Sequence, residues 1–478
     1  MRTRWVALMV LCAAMLMIIL DGTSVAVALP VIQRDLDLSP AGLTWVVNAY
    51  LIAFGGLLLL SGRLGDLLGR RRVFAVGLGV FTTASLACGL AQTPAMLIAA
   101  RFVQGAGGAM SSAVSLGMVV TLFTERRERA AAIGAFSFVG AAGASIGLVL
   151  GGFLTQAASW QWIFFINVPI GIAAGSLTIR VLRPDRGVGL SAGADILGAI
   201  LVTTGLMLGV YTIVEIPAHG WNSMHTLGFG AASVGLLAAF LVRQTRTSDP
   251  LLPLRLLRSR NVSGANAIQA VMVAALYAFQ VLAALYLQHV FGYRPATTGL
   301  ALLPAAVAIG TLSLGFSARL IARFGERRTL LGGLALLVAG MGLLTRVPAA
   351  GGNYPRDVLP AMLLLSGFGL AMPALTTLAM SDATDDNAGL VSGLFNTTQQ
   401  LGAAVGLAVL STLATARSEQ LISDGQAMAV AMTTGYRLAF GVGLALLITA
   451  MILSVAVLRR TVHRERSHRS GSIGEPRI

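Results

Sequence analysis

The chain has 478 residues, of which 56% are hydrophobic and 11% are charged, and its formal net charge is +15. Because soluble domains carry about 25% charged residues, this composition excludes an ordinary water-soluble surface and indicates a membrane protein. The two cysteines, Cys12 and Cys88, lie inside apolar runs, which argues against a disulfide framework and against a paired-cysteine metal site.

Apolar stretches of membrane-spanning length recur along the whole chain. A spanning helix needs about 20 mainly apolar residues to cross roughly 30 Å of hydrocarbon. On this rule the sequence predicts fourteen transmembrane helices and an all-α polytopic membrane protein. The predicted helices cover residues 5–29, 43–61, 73–91, 95–123, 130–154, 163–182, 194–214, 225–242, 262–288, 297–318, 329–346, 358–381, 388–413 and 435–458.

Arginine is distributed unevenly between the two sides of these helices. With the N-terminus inside, 27 of the 34 arginines fall in inside segments, six fall outside and one, Arg101, lies within a helix. Short cytoplasmic loops retain positive charge, so the sequence predicts a cell-membrane protein with both termini in the cytoplasm. The net charge therefore reflects topology, and it argues against a nucleic-acid partner.

Two segments with the same order of residue types join apolar stretches on the inside. GRLGDLLGRRR, from Gly62 to Arg72, links helices 2 and 3, and GFSARLIARFGERRTLLGG, from Gly315 to Gly333, links helices 10 and 11. The second segment therefore lies eight helices after the first, as it would if two six-helix halves were separated by two inserted helices. Such internal symmetry is typical of transporters. The predicted domains are a six-helix bundle at 1–182, a two-helix insertion with cytoplasmic linkers at 183–261, a second six-helix bundle at 262–458 and a disordered basic tail at 459–478.

Two ionisable residues fall well inside predicted helices, where a charge costs roughly 2.5 to 3.5 kcal/mol on insertion scales. Asp21 in helix 1 is either a protonatable carboxylate facing a central cavity or a group near the outer interface, satisfied by Thr23, Ser24 or water. Arg101 in helix 4 is either a buried cation, which pairs with a carboxylate or holds a polar network with Gln104, or a side chain that extends to the outer interface. We favour the first interpretation for both, which makes Asp21 the candidate proton carrier.

Helix 5 carries a run of glycines in the segment GAAGASIGLVLGGF. Gly143, Gly147 and Gly151 recur every four residues, and Gly152 follows directly. Small residues at this spacing lie on one face of a helix and let two backbones come close together. The segment is therefore a candidate helix-packing motif.

These segments together resemble the major facilitator superfamily, and within it the fourteen-helix drug:proton antiporters. GRLGDLLGRRR resembles the superfamily's signature between helices 2 and 3, RFVQGAGGA resembles its helix-4 signature, and LDGTSVAVALP resembles the helix-1 signature of the fourteen-helix drug exporters. SWQWIFFINVPIG, from Ser159 to Gly171, and GLFNTTQQLGAAVGLAV, from Gly393 to Val409, resemble the same subgroup. The resemblance spans nearly the whole chain.

The sequence departs from that family pattern at two positions. The helix-5 antiporter signature normally has a proline after its central glycine, and Leu148 stands there, which weakens the expectation of a bend and of export. In helix 13 the family usually has an arginine before the second glutamine, and Gln399 occupies that place. A cationic contribution from helix 13 is therefore not expected.

The resemblance implies that the segment between helices 2 and 3 is a cytoplasmic gate motif. Asp66 and Arg70 would bond to the other half of the protein when the inside is closed, and Gly62, Gly65 and Gly69 would allow close helix contact. A latch of this kind biases one conformation during alternating access.

The resemblance further implies a proton-coupled secondary active exporter of hydrophobic or amphipathic small molecules, such as drugs or antibiotics. It would act as a monomer in the lipid bilayer without a cofactor, with Asp21 carrying the proton. The candidate polar contacts to substrate are Asn48, Tyr50, Gln269, Asn396 and Gln400.

Other classes fit the sequence less well. The chain has no lysine and hence no ATP-binding loop of the Gly-x-x-x-x-Gly-Lys type, and its histidines and cysteines show no metal-ligand spacing. Its spans hold no catalytic constellation, so we do not expect an enzyme. The nearest alternative is an exporter of one endogenous metabolite, such as a secondary metabolite or siderophore, followed by a non-transporting membrane sensor.

Overall fold

The computed structural model describes residues 2–123, 125–182, 185, 187, 195–247, 250–251, 258–349, 352–381 and 388–457. This part of the chain is all α-helical and contains no strand. The predicted tail at 459–478 lies outside the described residues. The helices are α1 (Arg2–Asp35), α2 (Pro40–Leu68), α3 (Arg70–Gly89), α4 (Pro94–Leu122), α5 (Arg126–Ala157), α6 (Trp162–Phe165), α7 (Asn167–Val181), α8 (Ile196–Val214), α9 (Ile216–His219), α10 (Met224–Arg246), α11 (Arg260–His289), α12 (Pro295–Thr311), α13 (Ala318–Phe324), α14 (Glu326–Leu344), α15 (Tyr354–Asp357), α16 (Leu359–Leu364), α17 (Phe368–Ala379), α18 (Ala388–Ser423) and α19 (Met428–Ala456).

Twelve described segments are long and apolar enough to cross a membrane. Three of them combine two helices, namely α6 with α7, α12 with α13, and α16 with α17. The helices α4 and α5, of 29 and 32 residues, coincide with the fourth and fifth predicted spans, and some of their side chains lie outside the described residues. The structure confirms a multi-pass, all-α membrane protein, and the count of fourteen spans stays a prediction.

Several helices extend beyond the apolar stretches that predicted them. α1 continues to Asp35, α2 covers Pro40–Leu68 and α18 ends at Ser423, so each is longer than predicted. The prediction counted only residues that suit hydrocarbon, whereas a helix continues until a cap or a breaking residue ends it. At the start of α2, Ser39 is that cap, because its Oγ accepts a hydrogen bond from the Gly42 N–H at 3.0 Å.

The two segments of similar sequence are almost entirely helical, although the sequence prediction left residues 62–72 and 319–328 outside the helices. Gly69 alone separates α2 from α3, with φ at +98°. Gly325 alone separates α13 from α14, with φ at +83°. Residues with a Cβ rarely adopt this backbone conformation, which explains the glycine at each bend. The two segments therefore share backbone geometry as well as sequence.

Close backbone approaches at small residues hold neighbouring helices together. A Cβ added to Gly107 of α4 would overlap the backbone of α3, and one added to Gly105 would overlap the Tyr50 carbonyl oxygen of α2. Gly406 of α18 lies equally close to Ala274 of α11. Lipid tails are as apolar as the side chains, so helices associate in a membrane through such close packing. These approaches bring the polar side chains of α1, α2 and α4 within reach of one another.

The helices α8 and α10 pack against each other and are joined at one end by Asp195. Its carboxylate accepts hydrogen bonds from Arg243 Nε at 2.5 Å, Gln244 Nε2 at 2.7 Å and the Gly198 N–H at 2.8 Å. Burial alone would raise the pKa of Asp195, but the hydrogen bonds from Arg243, Gly198 and Gln244 outweigh it and hold the pKa below its ordinary value. Deeper along the pair, Ser233 Oγ donates to the carbonyl oxygen at Gly205 at 2.7 Å.

Candidate functional site

A buried ion pair joins α1 to α4. The Nη1 of Arg101 lies 2.5 Å from Oδ2 of Asp21, and each residue is 1% exposed. Partners within the bundle therefore satisfy both charges, and neither side chain extends to an interface. Thr23 and Ser24 donate instead to backbone carbonyl oxygens, at Ile19 and Gly147. Both side chains therefore lie inside the bundle, and not near the outer interface as in the alternative interpretation of each residue.

Arg101 is held on every side of its guanidinium group. Its Nε donates to the carbonyl oxygen of Val46 in α2 at 3.1 Å, and its Nη1 also donates to Gln104 Oε1 at 2.6 Å. The guanidinium carbon lies 4.4 Å from the ring centroid of Tyr50 and 5.8 Å from that of Phe164. Hydrogen bonds and aromatic faces thus replace the water that a buried cation loses.

The second carboxylate oxygen of Asp21 faces two amides. Gln104 Nε2 donates to Asp21 Oδ1 at 2.8 Å, and Asn167 Nδ2 donates to the same oxygen at 3.3 Å. Gln104 Nε2 also donates to Ser85 Oγ at 2.8 Å. The carboxylate therefore joins α1 directly to α4 and α7, and Gln104 extends the network to Ser85 in α3.

The structure brings Asp21 together with Arg101 and Gln104 in one network, which has two further members that sequence reasoning missed. Asn167 carried a usable signal, because it is an amide inside the apolar run FFINVPIG. Ser85 carried none, since a lone serine in an apolar helix commonly bonds to its own backbone. Among the described residues, no group of three or more His, Cys, Asp and Glu residues could hold a metal ion.

The five predicted substrate contacts are spread over three helices. Tyr50 contacts the ion pair, whereas Asn48, on the same helix, is fully buried and neither of its side-chain polar atoms has a hydrogen-bond partner. Gln269 of α11 is also fully buried, with Nε2 at 3.9 Å from the sulfur of Met372. In α18, Asn396 is exposed and Gln400 is partly buried.

The gate motif forms contacts inside the first part of the chain. Asp66 and Arg70 pair with each other at 3.3 Å on an exposed surface. The carboxylate of Asp185, which follows α7, accepts hydrogen bonds from the Arg70 and Arg71 N–H groups at 2.6 and 3.1 Å. An anion at this position complements the positive end of the α3 dipole. A bond from Asp66 or Arg70 to the second half of the chain stays a prediction.

The gate motif contains three glycines that were predicted to allow close helix contact. Gly65 lies directly against Val114 of α4, and Gly62 has open space beside it. A Cβ at Gly69 would lie 2.7 Å from the carbonyl oxygen of Asp185. Close helix contact therefore applies to Gly65, whereas Gly69 lies against Asp185 in the segment after α7, and nothing in the structure requires glycine at Gly62.

The helix-5 glycines pack against two different partners. Gly143, Gly147 and Gly151 lie against α1, at Leu16, Thr23 and Ser24 respectively. Gly152 lies against Pro295 at the start of α12, with no room for a Cβ. At the same end of the bundle, Gln156 Oε1 accepts from the Ala296 N–H at 3.3 Å, and Gln288 Nε2 of α11 donates to Val27 O of α1 at 2.8 Å. Gly152 and these two hydrogen bonds thus join α5 and α1 to the second half of the chain at the end of the bundle opposite Gly69.

The chain is similar to named bacterial resistance and export proteins along most of its length. It is 37% identical to the puromycin resistance protein of Streptomyces alboniger, covering 96% of this chain and 92% of that protein. It is 37% identical to the cephamycin export protein of Amycolatopsis lactamdurans, covering 86% and 85%. It is 34% identical to a multidrug resistance protein of Mycobacterium tuberculosis, covering 86% and 76%.

Solved transporter structures share the fold. The POT family transporter PepTSo superposes with a TM-score of 0.67 at 15% identity, covering 94% of this chain and 98% of that one. The nucleoside transporter NupG superposes with a TM-score of 0.65 at 10% identity, covering 95% and 100%.

The membrane-length helices, together with these similarities to export proteins and to transporter folds, define a multi-pass membrane transporter of small molecules, not an enzyme. The family profile described as Major Facilitator Superfamily matches residues 11–407. The chain therefore belongs to the major facilitator superfamily.

Proposed function

We propose that this chain exports hydrophobic or amphipathic small molecules, such as drugs and antibiotics, in exchange for protons. The observation that carries the proposal is the buried pair of Asp21 and Arg101. It places a protonatable carboxylate, that of Asp21, inside the bundle and not at its surface. The resistance and export activities named for the relatives support the substrate class.

In this mechanism Asp21 carries the proton. Protonation removes the charge that Arg101 neutralises, so Arg101 keeps Gln104, Val46 O and the rings of Tyr50 and Phe164 as partners and the contacts between α1 and α4 weaken. A proton entering through a potential of 100 mV releases roughly 2.3 kcal/mol. Since about 1.4 kcal/mol corresponds to a tenfold ratio, one proton sustains a gradient of about 50-fold for a neutral substrate.

The proposed orientation places the end that carries Gly69 in the cytoplasm of a cell, with both termini on that side of the plasma membrane. The excess of arginine at this end supports that assignment. The two bundles at 1–182 and 262–458 alternate access as a monomer, with the insertion at 183–261 beside them and the basic tail at 459–478 in the cytoplasm. Asp66, Arg70 and the bends at Gly69 and Gly325 act in the inner gate.

The proposed substrate path lies between the two bundles, and its polar contacts come from side chains on three helices. The buried, unpartnered polar atoms of Asn48 and Gln269 support this part of the proposal, because a substrate would supply the missing hydrogen bonds. The proposed contacts are Asn48, Tyr50, Gln269, Asn396 and Gln400.

A second candidate is the export of one endogenous metabolite. The name of the cephamycin export protein favours it, since that relative is named for a single compound. A chain with this role would transport one compound and leave unrelated dyes inside the cell.

The test is efflux of a fluorescent hydrophobic cation from cells expressing the wild type, Asp21→Asn or Asp424→Asn, with and without a protonophore. Asp424 is an exposed carboxylate after α18 and serves as the matched control. We expect efflux to fail with the protonophore and in Asp21→Asn, and to persist in Asp424→Asn. Efflux that survives the protonophore overturns proton coupling. A folded wild type that exports no unrelated dye favours the single-metabolite transporter.

A further inference from the structure

The inserted helices α8 and α10 form one unit. Asp195 at the start of α8 accepts a hydrogen bond from Arg243 near the end of α10. Further along the pair, Ser233 Oγ of α10 donates to the carbonyl oxygen at Gly205 of α8 at 2.7 Å, and a Cβ at Gly209 would lie 2.8 Å from the same Oγ. The two helices therefore move together, and their contacts with the rest of the chain decide which part they move with.

Two adjacent glycines of α2 face different neighbours. A Cβ at Gly55 would lie 2.9 Å from Gln400 Cβ of α18, whereas a Cβ at Gly56 would lie 2.5 Å from Thr203 Oγ1 of α8 and 3.4 Å from the Thr203 Cα. α18 and α8 therefore lie side by side along α2 at this level. Since α2 is in the predicted first bundle and α18 in the predicted second, α8 covers one edge of the boundary between the bundles.

The linker that leads from α7 to α8 is also held by the first bundle. Asp185 of this linker accepts hydrogen bonds from the N–H groups of Arg70 and Arg71 at the start of α3, at 2.6 and 3.1 Å. Two residues further on, a Cβ at Gly187 would overlap the carbonyl oxygen of Leu67 at the end of α2. The insertion is thus attached to the first bundle at the Gly69 end through its linker and in the middle of α2 through Thr203.

The contact between the insertion and the second bundle is looser. Thr412 Oγ1 of α18 donates to the carbonyl oxygen of Ile213, near the end of α8, at 3.3 Å. A cavity of about 260 Å³ lies beside this bond, between α2, α18 and the end of α8 with α9. Side chains that line a void lack contact atoms on that side, so helices separated by one lose few contacts when they part. α8 can therefore leave α18 at this end more easily than it can leave α2 at Gly56.

The Thr412 contact lies at the end of the molecule where hydrogen bonds join the two bundles. Gln288 Nε2 of α11 donates to Val27 O of α1, and Gln156 Oε1 of α5 accepts from the Ala296 N–H of α12. Opening this end requires both bonds to break. An inserted unit that contacts both bundles here has to follow one of them and release the other.

We propose that the inserted pair α8–α10 moves as part of the first bundle, and that the contact between Thr412 and Ile213 opens when the two bundles separate at the end opposite Gly69. The proposal rests on the alternating access proposed above. In this arrangement α8 screens one edge of the path between the bundles from lipid tails, which cannot satisfy the hydrogen bonds of its polar groups.

A disulfide tests the contact that should stay fixed. Gly56→Cys with Thr203→Cys, in a background of Cys12→Ala with Cys88→Ala, places the two Cβ atoms 3.3 Å apart. This is close to the separation of about 3.5 to 4.5 Å in disulfides. We expect the oxidised protein to export dye within about twofold of the rate of the reduced protein, because the cycle needs no movement between α2 and α8. Efflux that stops on oxidation and recovers with dithiothreitol overturns the proposal.

A cross-link over the cavity tests the contact that should open. Ala218 of α9 and Thr415 of α18 line the same cavity, so a flexible bismaleimide can join Ala218→Cys to Thr415→Cys in the same cysteine-free background. We expect this cross-link to reduce efflux by at least about tenfold, since it ties the first bundle to the second at the end that has to open. The same variant treated with a monofunctional maleimide is the matched control and should keep its efflux. Efflux that survives the cross-link overturns the proposal.

A distance measurement separates this proposal from the export function. Spin labels in pairs at Ala41 of α2, Ala218 of α9 and Glu419 of α18 report three distances in the purified full-length protein by pulsed electron paramagnetic resonance. The comparison is with Gln156→Ala and Gln288→Ala combined, which removes both hydrogen bonds between the bundles at this end.

In that variant we expect both distances to Glu419 to lengthen, while the distance between Ala41 and Ala218 stays unchanged. A longer distance between Ala41 and Ala218 with a constant one between Ala218 and Glu419, or no change in any pair, overturns the proposal. If the expected pattern appears and the wild type exports no dye, the export function alone is contradicted.

Discussion

Arg101 Nη1 lies 2.5 Å from Asp21 Oδ2, although the two residues are 80 positions apart in the chain. Removing one partner of a buried ion pair leaves the other charge uncompensated and costs about 3 to 5 kcal/mol, whereas removing both charges together costs much less. The pair is therefore a single unit for stability, and its contribution to transport has to be measured apart from its contribution to folding.

The first prediction separates these two contributions. Arg101→Gln alone should lower the thermal unfolding midpoint and the amount of folded protein, because Asp21 is left as a buried, unpaired carboxylate. The double variant Asp21→Asn with Arg101→Gln should regain most of the midpoint but no proton-coupled efflux. Thermal unfolding in detergent and dye efflux measure the two effects. A double variant that exports in a protonophore-sensitive manner would place the coupling group elsewhere.

The second prediction concerns Asn167, whose Nδ2 lies 3.3 Å from Asp21 Oδ1. Asn167→Asp puts a second carboxylate beside the first with one Arg101 to serve both. We expect proton-coupled efflux to fall by about tenfold or more, since like charges at this distance repel strongly in a medium of low dielectric constant. Asn353→Asp, near the start of α15, is the matched control and should leave efflux unchanged. Normal efflux in Asn167→Asp would show that this amide does not support Asp21.

The third prediction uses two glycines of α12. A Cβ at Gly299 would overlap the carbonyl oxygen of Leu148 in α5, whereas a Cβ at Gly310 meets nothing within 4 Å. Gly299→Ala should destabilise the packed state by about 1 to 3 kcal/mol, because backbone has to move. Gly310→Ala should be neutral or slightly stabilising, since alanine favours helix by up to about 1 kcal/mol. The measurement is the unfolding midpoint of each variant. Equal midpoints would mean that α5 and α12 are not in contact at Gly299.

The fourth prediction follows from the lowered pKa of Asp195. Its ordinary value is 3.8, and the folded protein holds it lower, so its charged form stabilises the fold at every pH above 3.8. That stabilisation is lost as the pH falls through the folded-state pKa. Asp195→Ala should cost about 1 to 2 kcal/mol at neutral pH, from the lost helix cap and hydrogen bonds.

The measurement for Asp195 is the difference in unfolding midpoint between wild type and variant at a series of pH values. This difference should be constant from neutral pH down to about pH 4 and then shrink. Asp195→Asn keeps a side-chain oxygen for the Gly198 N–H but loses the charge that Arg243 meets. Its unfolding midpoint should therefore lie between those of the wild type and Asp195→Ala. If the difference in unfolding midpoint grows as the pH falls, the lowered pKa of Asp195 is contradicted.

The sequence allowed much of this site to be predicted, because charges are rare in apolar helices. The cost of burying Asp21 and Arg101 marked both residues, and the need of Arg101 for a partner indicated a carboxylate or Gln104, without showing that the carboxylate is Asp21. The pairing of Asn167 with Asp21 depends on how α7 packs beside α1, which no local pattern encodes. The helix ends were missed for a related reason, because hydropathy reports where the hydrocarbon ends, whereas α1 and α18 continue beyond it to Asp35 and Ser423.

The shared carboxylate also bears on how relatives of this chain diverge. Arg101, Gln104 and Asn167 all direct donors at Asp21, so all three lose a shared acceptor once that carboxylate is gone. In a lineage that replaced Asp21 by a neutral residue, Arg101 would be left as an uncompensated buried charge and should be replaced soon afterwards. Gln104 and Asn167 should then vary more freely. Sequence variation at these four positions should therefore be inherited as a block, and a relative that keeps only part of it has changed its means of coupling.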